Sequence, residues 1–508
     1  MAGVEATALA EQLLAFEALE APSTAQLDAL TAQVAELEGL SEHDEVVRAG
    51  LQLGIARWRA FQGCRWADWE LSPPKDPVVR DAADGRLDRL AVRDWVLHYE
   101  RDATRAVHQL QGLDAAAQAG FVEHQSAIEA YLHAIDALEP LSDDVVALLP
   151  STRRDALIAA RTGWREAHAD LAATVRRVVL PVARPRAGLH GLPADCYAAS
   201  ILYYTDSGHA PQALHDLGAR ELERIGAQLV EVGGPLYDTA DPADVLAALR
   251  SSPTRFEDAD ALLDAARAVA EQGKQLEQPV FGRTASRSCA IEPIEARWTA
   301  SWVPSGAYDD ATFLVNTTPG VIRPWEVATI TAHECSPGHH LEQTTRGETA
   351  GWPVFLHRQR STAFTEGWAH YAESVAAEEG LFDDPLAMLG HLSHRSWRAA
   401  RLVVDTGIHH DGWSDERATA FYLQHTALDP TVIDQEVQRI RLQPGQALAY
   451  KVGELELQRL RRLAEDELGE SFDRARFHAA ILAVVGAPVS ALEIPVRSWI
   501  EAEPDAGP

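Results

Sequence analysis

HECSPGHH, residues 333–340, follows the run PWEVATITA (324–332), in which Pro324 suits a first helical turn and nothing interrupts the chain before His333. Pro337 stands four residues after His333. A proline there removes a backbone donor and clashes with the carbonyl four residues back, so the helix must kink, bulge or restart, and Gly338 loosens it further. On an unbroken helix His340 would lie two turns beyond His333, about 10.5 Å along the axis, with His339 off that face. If Pro337 and Gly338 loop out, His339 falls where the second histidine of an H-E-x-x-H helix would stand. The expectation is a break between Cys335 and Gly338 that sets His339 beside His333. His340 is then a substitute ligand, or is turned toward a partner outside the ligand set.

Imidazole and carboxylate in this pattern point to a metal ion. The stretch STAFTEGWAHYAESVAAEEG (361–380) places Glu366, His370 and Glu373 at i, i+4 and i+7, on one helical face. Two histidines from one helix and a glutamate from the next make the His-His-Glu zinc set, with one position open for water. The expected ligands are therefore His333, His339 or His340, and Glu366, holding one zinc per chain, with Glu373 next in line. Glu334 is the expected general base. Phe364, Trp368 and Tyr371 would pack around the site and keep it dry. Tyr450 is the first choice to stabilise an oxyanion, with His370 or His409 behind it. Arg439 suits a substrate carboxylate; its plain alternative is a surface ion pair. His409 and His410 read as a loop or helix-end pair.

Composition bounds the partners. The chain has 508 residues, 46% hydrophobic, and a formal charge of −31. Such a balance repels phosphate backbones and anionic membranes, so neither nucleic acid nor a membrane is an expected partner. Cys64, Cys196, Cys289 and Cys335 are scattered, with no C-x-x-C pair. Free thiols and a reducing cytoplasm are expected, with Cys335 a small buried hydrophobe. The opening MAGVEATALAEQLLAFEALE carries acids where an export signal needs bases, which again reads as cytoplasmic.

The fold class expected is mainly α: a large multi-helix metallopeptidase-like fold with a small antiparallel β-sheet next to the active-site helix. Leu, Val and Ala recur at three- and four-residue spacing through LAEQLLAFEALE, AQLDALTAQVAELEGL and ALIAARTGWREAHADLAATVRRVVL. The Pro-Gly-rich stretch PVARPRAGLHGLPAD then interrupts the pattern, which suggests a helical N-terminal region over 1–184 and a catalytic region over 185–508, or one continuous domain. Between 291 and 316 the β-branched and aromatic residues of IEARWTASWVPSGAYDDATFLVNTT predict two or three strands, whose end near Asn316 would offer an edge to an extended peptide. Helices resume from Pro324, interrupted at DTGIHHDGWS and RLQPGQ.

Taken together, HECSPGHHLEQ, FTEGWAHYAE, DTGIHHDGW, RIRLQPGQALAYKVGELELQRLR and FHAAILAVVGAPVSALE resemble the domain of unknown function 885 family. The strings YYTDSGHAPQALHDLGARELERI and GAYDDATFLVNT resemble it as well, and the likeness covers most of the chain from about Pro185. That family is read as mostly helical metallopeptidases, distantly similar to Taq-type carboxypeptidases and oligopeptidases. By this resemblance His333, His339 or His340, and Glu366 match metal-binding positions and Glu334 the general base. Arg439, Gln446, Tyr450 and Lys451 fall in its second signature. Members usually carry an aliphatic residue where His370 stands, and many are lipoproteins or exported. The functional expectation is zinc-dependent hydrolysis of an amide bond in a short peptide or peptide-like substrate. The alternative is a metal-dependent enzyme acting on a non-peptide small metabolite. A non-catalytic scaffold fits poorly, because Glu334 and the ligand residues are all present.

Overall fold

The computed structural model describes residues 6–13, 22–64, 76, 78, 91–118, 125–149, 154–181, 194–294, 306–359 and 361–502. Among these the chain is mostly helix with one small sheet, and it divides into two compact units. One unit is Phe61–Cys196; the other joins Met1–Ala60 to Tyr197–Pro508. This differs from the boundary expected at 184. The helix Glu42–Gly63 lays Val47, Leu51 and Ile55 against Phe355 and Leu356, so the first helices share a core with the C-terminal part. Periodicity shows which face of a helix is apolar, and not which distant segment covers it.

In the unit Phe61–Cys196, the helices Ala91–Gln118, Gln125–Asp136 and Arg154–Thr174 enclose a core that includes Leu113, Ile128, Tyr131 and Leu171. A buried polar cluster crosses it. The Asp102 carboxylate accepts from Trp164 Nε1 at 2.7 Å and meets His168 Nε2 at 3.0 Å.

The larger unit carries the sheet and the 333–340 motif. Strands β1 (Ala290–Pro293), β2 (Gly306–Asp309) and β3 (Thr312–Val315) lie in the order β1-β3-β2. β2 and β3 form an antiparallel hairpin turned by Asp310 and Ala311, both at positive φ, while β1 runs parallel to β3. The sheet is thus mixed, where an antiparallel one was expected. The strand ending at Asn316 is central, so it offers no edge. Much of the stretch expected to be extended, residues 295–305, lies outside the described residues. Ile291, Phe313 and Val315 pack on Val327 and Ile330, which fixes the sheet against the helix leading to His333.

Two further helices complete the frame of the motif. Thr362–Glu378 and Ala449–Leu468 cross at Gly367 and Gly453, where a Cβ on Gly453 would lie 1.8 Å from the Ala363 carbonyl oxygen. Only glycine allows backbones this close. The long helix Pro385–His409 is buried over most of its length and runs through DTGIH, where the sequence suggested a break.

All four cysteines are paired, contrary to the expectation of free thiols: Cys64 with Cys196, and Cys289 with Cys335. Their Cα atoms stand 5.5 and 5.7 Å apart, within bridging range. The partners are 132 and 46 residues apart in sequence, too far for any local spacing rule to detect. No helix is long and apolar enough to cross a membrane among the described residues.

Candidate metal centre

The helix Val327–Glu334 ends at the motif and a second, His339–Glu348, begins within it. Cys335 N still donates to Thr331 O at 2.8 Å, but Cys335 has left helical space at φ −89°, ψ −136°. The Ser336–Pro337 peptide is cis. Gly338 folds back so that its N donates to Ala332 O at 3.0 Å, and a Cβ there would sit 2.0 Å from the His333 carbonyl oxygen. The rings of His333 and His339 end 4.7 Å apart between centroids, at 81°.

Glu366 comes from the helix Thr362–Glu378, whose first turn is capped by Ser361 Oγ accepting from Phe364 N at 2.9 Å. Its Oε2 is 3.5 Å from His333 Nε2 and 3.5 Å from His339 Nε2. One donor atom from each of the three residues lies within 4.8 Å of the others. Bonds of about 2.0–2.2 Å in tetrahedral arrangement put donors about 3.4 Å apart. The same 3.5 Å is long for a direct hydrogen bond. The donor chemistry and spacing therefore fit a zinc-like ion. The Glu366 side chain is 20% exposed, so the cluster is open to solvent on its side.

Charge around the cluster is arranged from behind. Glu373 Oε1 holds His333 Nδ1 at 2.6 Å, and its Oε2 accepts from the Thr329 hydroxyl at 2.9 Å. This places the His333 proton on Nδ1 and turns Nε2 toward Glu366, the arrangement that orients and strengthens a metal-binding imidazole. Burial opposes a charged His333, but the Glu366 and Glu373 carboxylates outweigh it and raise its pKa to about 10. Glu366 is held well below the usual carboxylate range: burial opposes this, and the two imidazoles prevail. Glu334 is partly exposed, and burial pushes its carboxyl up against the pull of His339 and His333.

His340 faces elsewhere. Its Nε2 lies 2.8 Å from the Arg287 carbonyl oxygen, which can only accept, so Nε2 carries the proton. Nδ1 then accepts from the Tyr308 hydroxyl at 3.1 Å. Neither nitrogen has a lone pair left for a metal. His370 is wholly buried behind Glu373, with Nδ1 3.5 Å from Glu373 and Nε2 3.2 Å from Glu454. Burial lowers its pKa to about 4. A ring enclosed in this way has no path to a substrate, which corrects the expectation of an oxyanion donor there. His409 Nε2 meets the Ile440 carbonyl at 2.9 Å, and His410 is exposed beside Asp411.

Tyr450 lies next to His333, rings 6.4 Å apart and nearly parallel at 17°. Arg439 Nη2 donates to the Tyr450 hydroxyl at 3.0 Å and to Gln446 Oε1 at 2.8 Å. Arg398 and Arg401 reach over the same ring, at 5.9 and 4.4 Å from its centroid. Arg401 is neutralised by Glu436, Nη2 to Oε2 at 3.0 Å. Arg398 Nη1 lies 3.0 Å from His394 Nδ1, and its guanidinium also sits 4.3 Å over the Trp397 ring. Among the described residues neither Arg398 nor Arg439 has a carboxylate within ion-pair distance, so the surface ion pair considered for Arg439 is absent. Lys451 turns away from Tyr450 and pairs with Glu454 in the interior. The sequence reading missed Arg398 and the orienting role of Glu373. The signal for the first was the recurrence of arginine every three residues, at 395, 398 and 401.

No curated protein matches the chain. The crystal structure of a "putative lipoprotein" from Colwellia psychrerythraea aligns over 98% of this chain and 99% of its own, with TM-score 0.80 and 22% identity. A "putative lipoprotein of unknown function" from Shewanella oneidensis aligns over 94% and 93%, with TM-score 0.67 and 17% identity. These share the fold. An M32 carboxypeptidase from Deinococcus radiodurans R1 is 13% identical over 98% and 96% of the two chains, but its TM-score of 0.35 is too low to carry an argument. Residues 6–496 match the family described as "Bacterial protein of unknown function (DUF885)", and with nearly the whole chain covered, the protein belongs to that family.

Proposed function

We propose that this chain is a zinc-dependent hydrolase that cleaves an amide bond in a short peptide or peptide-like substrate bearing a free carboxylate. The reading rests on the equal 3.5 Å spacings that join Glu366 to His333 and His339. Zinc held by these three residues would supply a Lewis acid that polarises the scissile carbonyl and makes water acidic. Glu334, partly exposed and in the field of both imidazoles, takes a proton from the attacking water and returns it to the leaving amine. The Tyr450 hydroxyl accepts from Arg439, which leaves its own proton to donate to the developing oxyanion. Arg439 and Arg398, without carboxylate partners among the described residues, supply the cations for the substrate carboxylate.

Protein purified without added metal should contain about one zinc per chain, and a dipeptide panel should include hydrolysed members. Glu334→Gln should keep the metal and lose turnover by about 100- to 10,000-fold. A chain that takes up no zinc, manganese, cobalt or iron would end the proposal. Equal turnover of free and C-terminally amidated peptides would remove the carboxylate from it. The two disulfides support an oxidising compartment rather than the cytoplasm.

A further inference from the structure

A cavity of about 470 Å³ opens at the far end of the helix that carries Glu366. Ser374 of that helix lines it, two turns beyond Glu366 and about 12 Å along the axis, and none of His333, His339 and Glu366 does. Arg224, Arg395, Arg461 and Arg462 line it, with Met388 and Leu392 as apolar wall. Four guanidiniums against the two carboxylates of Glu378 and Glu465 are unusual in a chain of charge −31.

The arginines differ in how well they are neutralised. Arg224 meets Glu221 at 2.7 Å, and Arg461 meets Glu465 at 2.8 Å and Glu378 at 2.9 Å. Arg395 is not satisfied in this way. Its side chain is 8% exposed, and its Nε has no hydrogen-bond partner among the described residues. Its contacts are Glu454 Oε1 at 3.4 Å and Gln228 Oε1 at 3.5 Å, both at the outer limit of a hydrogen bond. Glu454 is meanwhile engaged by Lys451, by Gln458 Nε2 at 2.8 Å and by His370 at 3.2 Å. A buried guanidinium so weakly paired is costly unless an anion completes it. Arg462, exposed, has no ion pair among the described residues.

We propose that this cavity is a second ligand site, taking a small molecule with one oxyanion group, carboxylate or phosphate, and a short apolar body. The oxyanion accepts from the guanidiniums of Arg395 and Arg462 where they line the cavity, planar groups that match two oxygens of one anion. The apolar body rests on Met388 and Leu392. The volume is that of a small-molecule pocket.

The test is calorimetric titration of the full-length, metal-loaded protein with inorganic phosphate and with hexanoate, at constant ionic strength in chloride. At least one probe should bind at one site per chain with a Kd below about 1 mM, some −4 kcal/mol. Hexanoate alone identifies the carboxylate class, phosphate alone the phosphate class, and either supports the site. Arg395→Gln should weaken binding at least tenfold. Because that change falls in a buried ionic cluster, Met388→Trp, which fills the cavity and leaves every charge in place, should do the same with zinc content unchanged. Binding of neither probe at ten times that concentration would overturn the proposal. So would binding that survives Met388→Trp, or that vanishes when the metal is stripped.

Discussion

Replacing Glu373 with glutamine keeps the side-chain shape and removes one charge from behind His333. The carboxylate is wholly buried, 2.6 Å from His333 Nδ1 and 2.9 Å from the Thr329 hydroxyl. The amide oxygen still accepts from Nδ1–H, so the ring keeps its place. The amide NH2 can no longer accept from Thr329, whose hydroxyl must rotate. The imidazole loses the full negative partner that makes Nε2 a strong donor. Such partners of metal-binding histidines are worth about 10- to 100-fold in metal affinity, or about 1.4–2.7 kcal/mol. Glu366→Ala removes a donor atom itself and should cost more. Zinc affinity measured by competition with a chromogenic chelator at neutral pH should therefore rank wild type, Glu373→Gln, Glu366→Ala, with circular dichroism confirming the fold of each. A Glu373→Gln protein that binds zinc within about twofold of wild type, or more weakly than Glu366→Ala, would refute the assignment of Glu373 as orienting partner.

His339→Ala should abolish zinc binding, and His340→Ala should weaken it only partly, through the lost contacts to Tyr308 and Arg287; loss confined to His340→Ala would move the ligand. Gly338→Ala forces a Cβ to within 2.0 Å of the His333 carbonyl oxygen, so zinc content and melting temperature should both fall, and a normal zinc content would show that the break tolerates a side chain. Without metal, His333 has a pKa near 10 against about 6.5 unfolded, so its stabilisation is full below 6.5 and is lost as pH rises toward 10. The metal-free protein should lose denaturant resistance across that window more steeply than Glu373→Gln does. Zinc uptake in the same window should release about one proton, seen as a buffer-dependent enthalpy, and no buffer dependence would contradict the shift.

The break at Pro337 was legible because proline chemistry is local: the ring and the missing N–H act on the four preceding residues whatever the rest of the chain does. Glu366 was legible for the same reason, as a face of one helix. What was not legible depends on contacts between distant segments. Three acidic or basic residues, Glu366, His370 and Glu373, share one face in the sequence, yet only Glu366 reaches the donor cluster, because the crossing at Gly367 and Gly453 brings Glu454 against His370 and seals it in. Cys289 and Cys335 meet because the sheet packs on the motif helix, and β1 pairs parallel to β3, a partnership that no local sequence pattern specifies.

The string PGQALAYK, part of the second signature, is explained by that same crossing. Tyr450 and Lys451 are consecutive on a helix and so point about 100° apart. The first lies against His333, and the second pairs with Glu454 in the interior. Glu454 touches His370, which touches Glu373, which holds His333. Glu454 is offset by Lys451 and Arg395 and Glu373 by His333, with the neutral His370 ring between the two carboxylates. Removing Lys451 would leave Glu454 facing a weaker set of cations, and the disturbance would reach Nε2 of His333 through two side chains, with no ligand replaced. The signature therefore builds the rear wall of the candidate metal centre, through the contacts that run from Lys451 and Glu454 to His333.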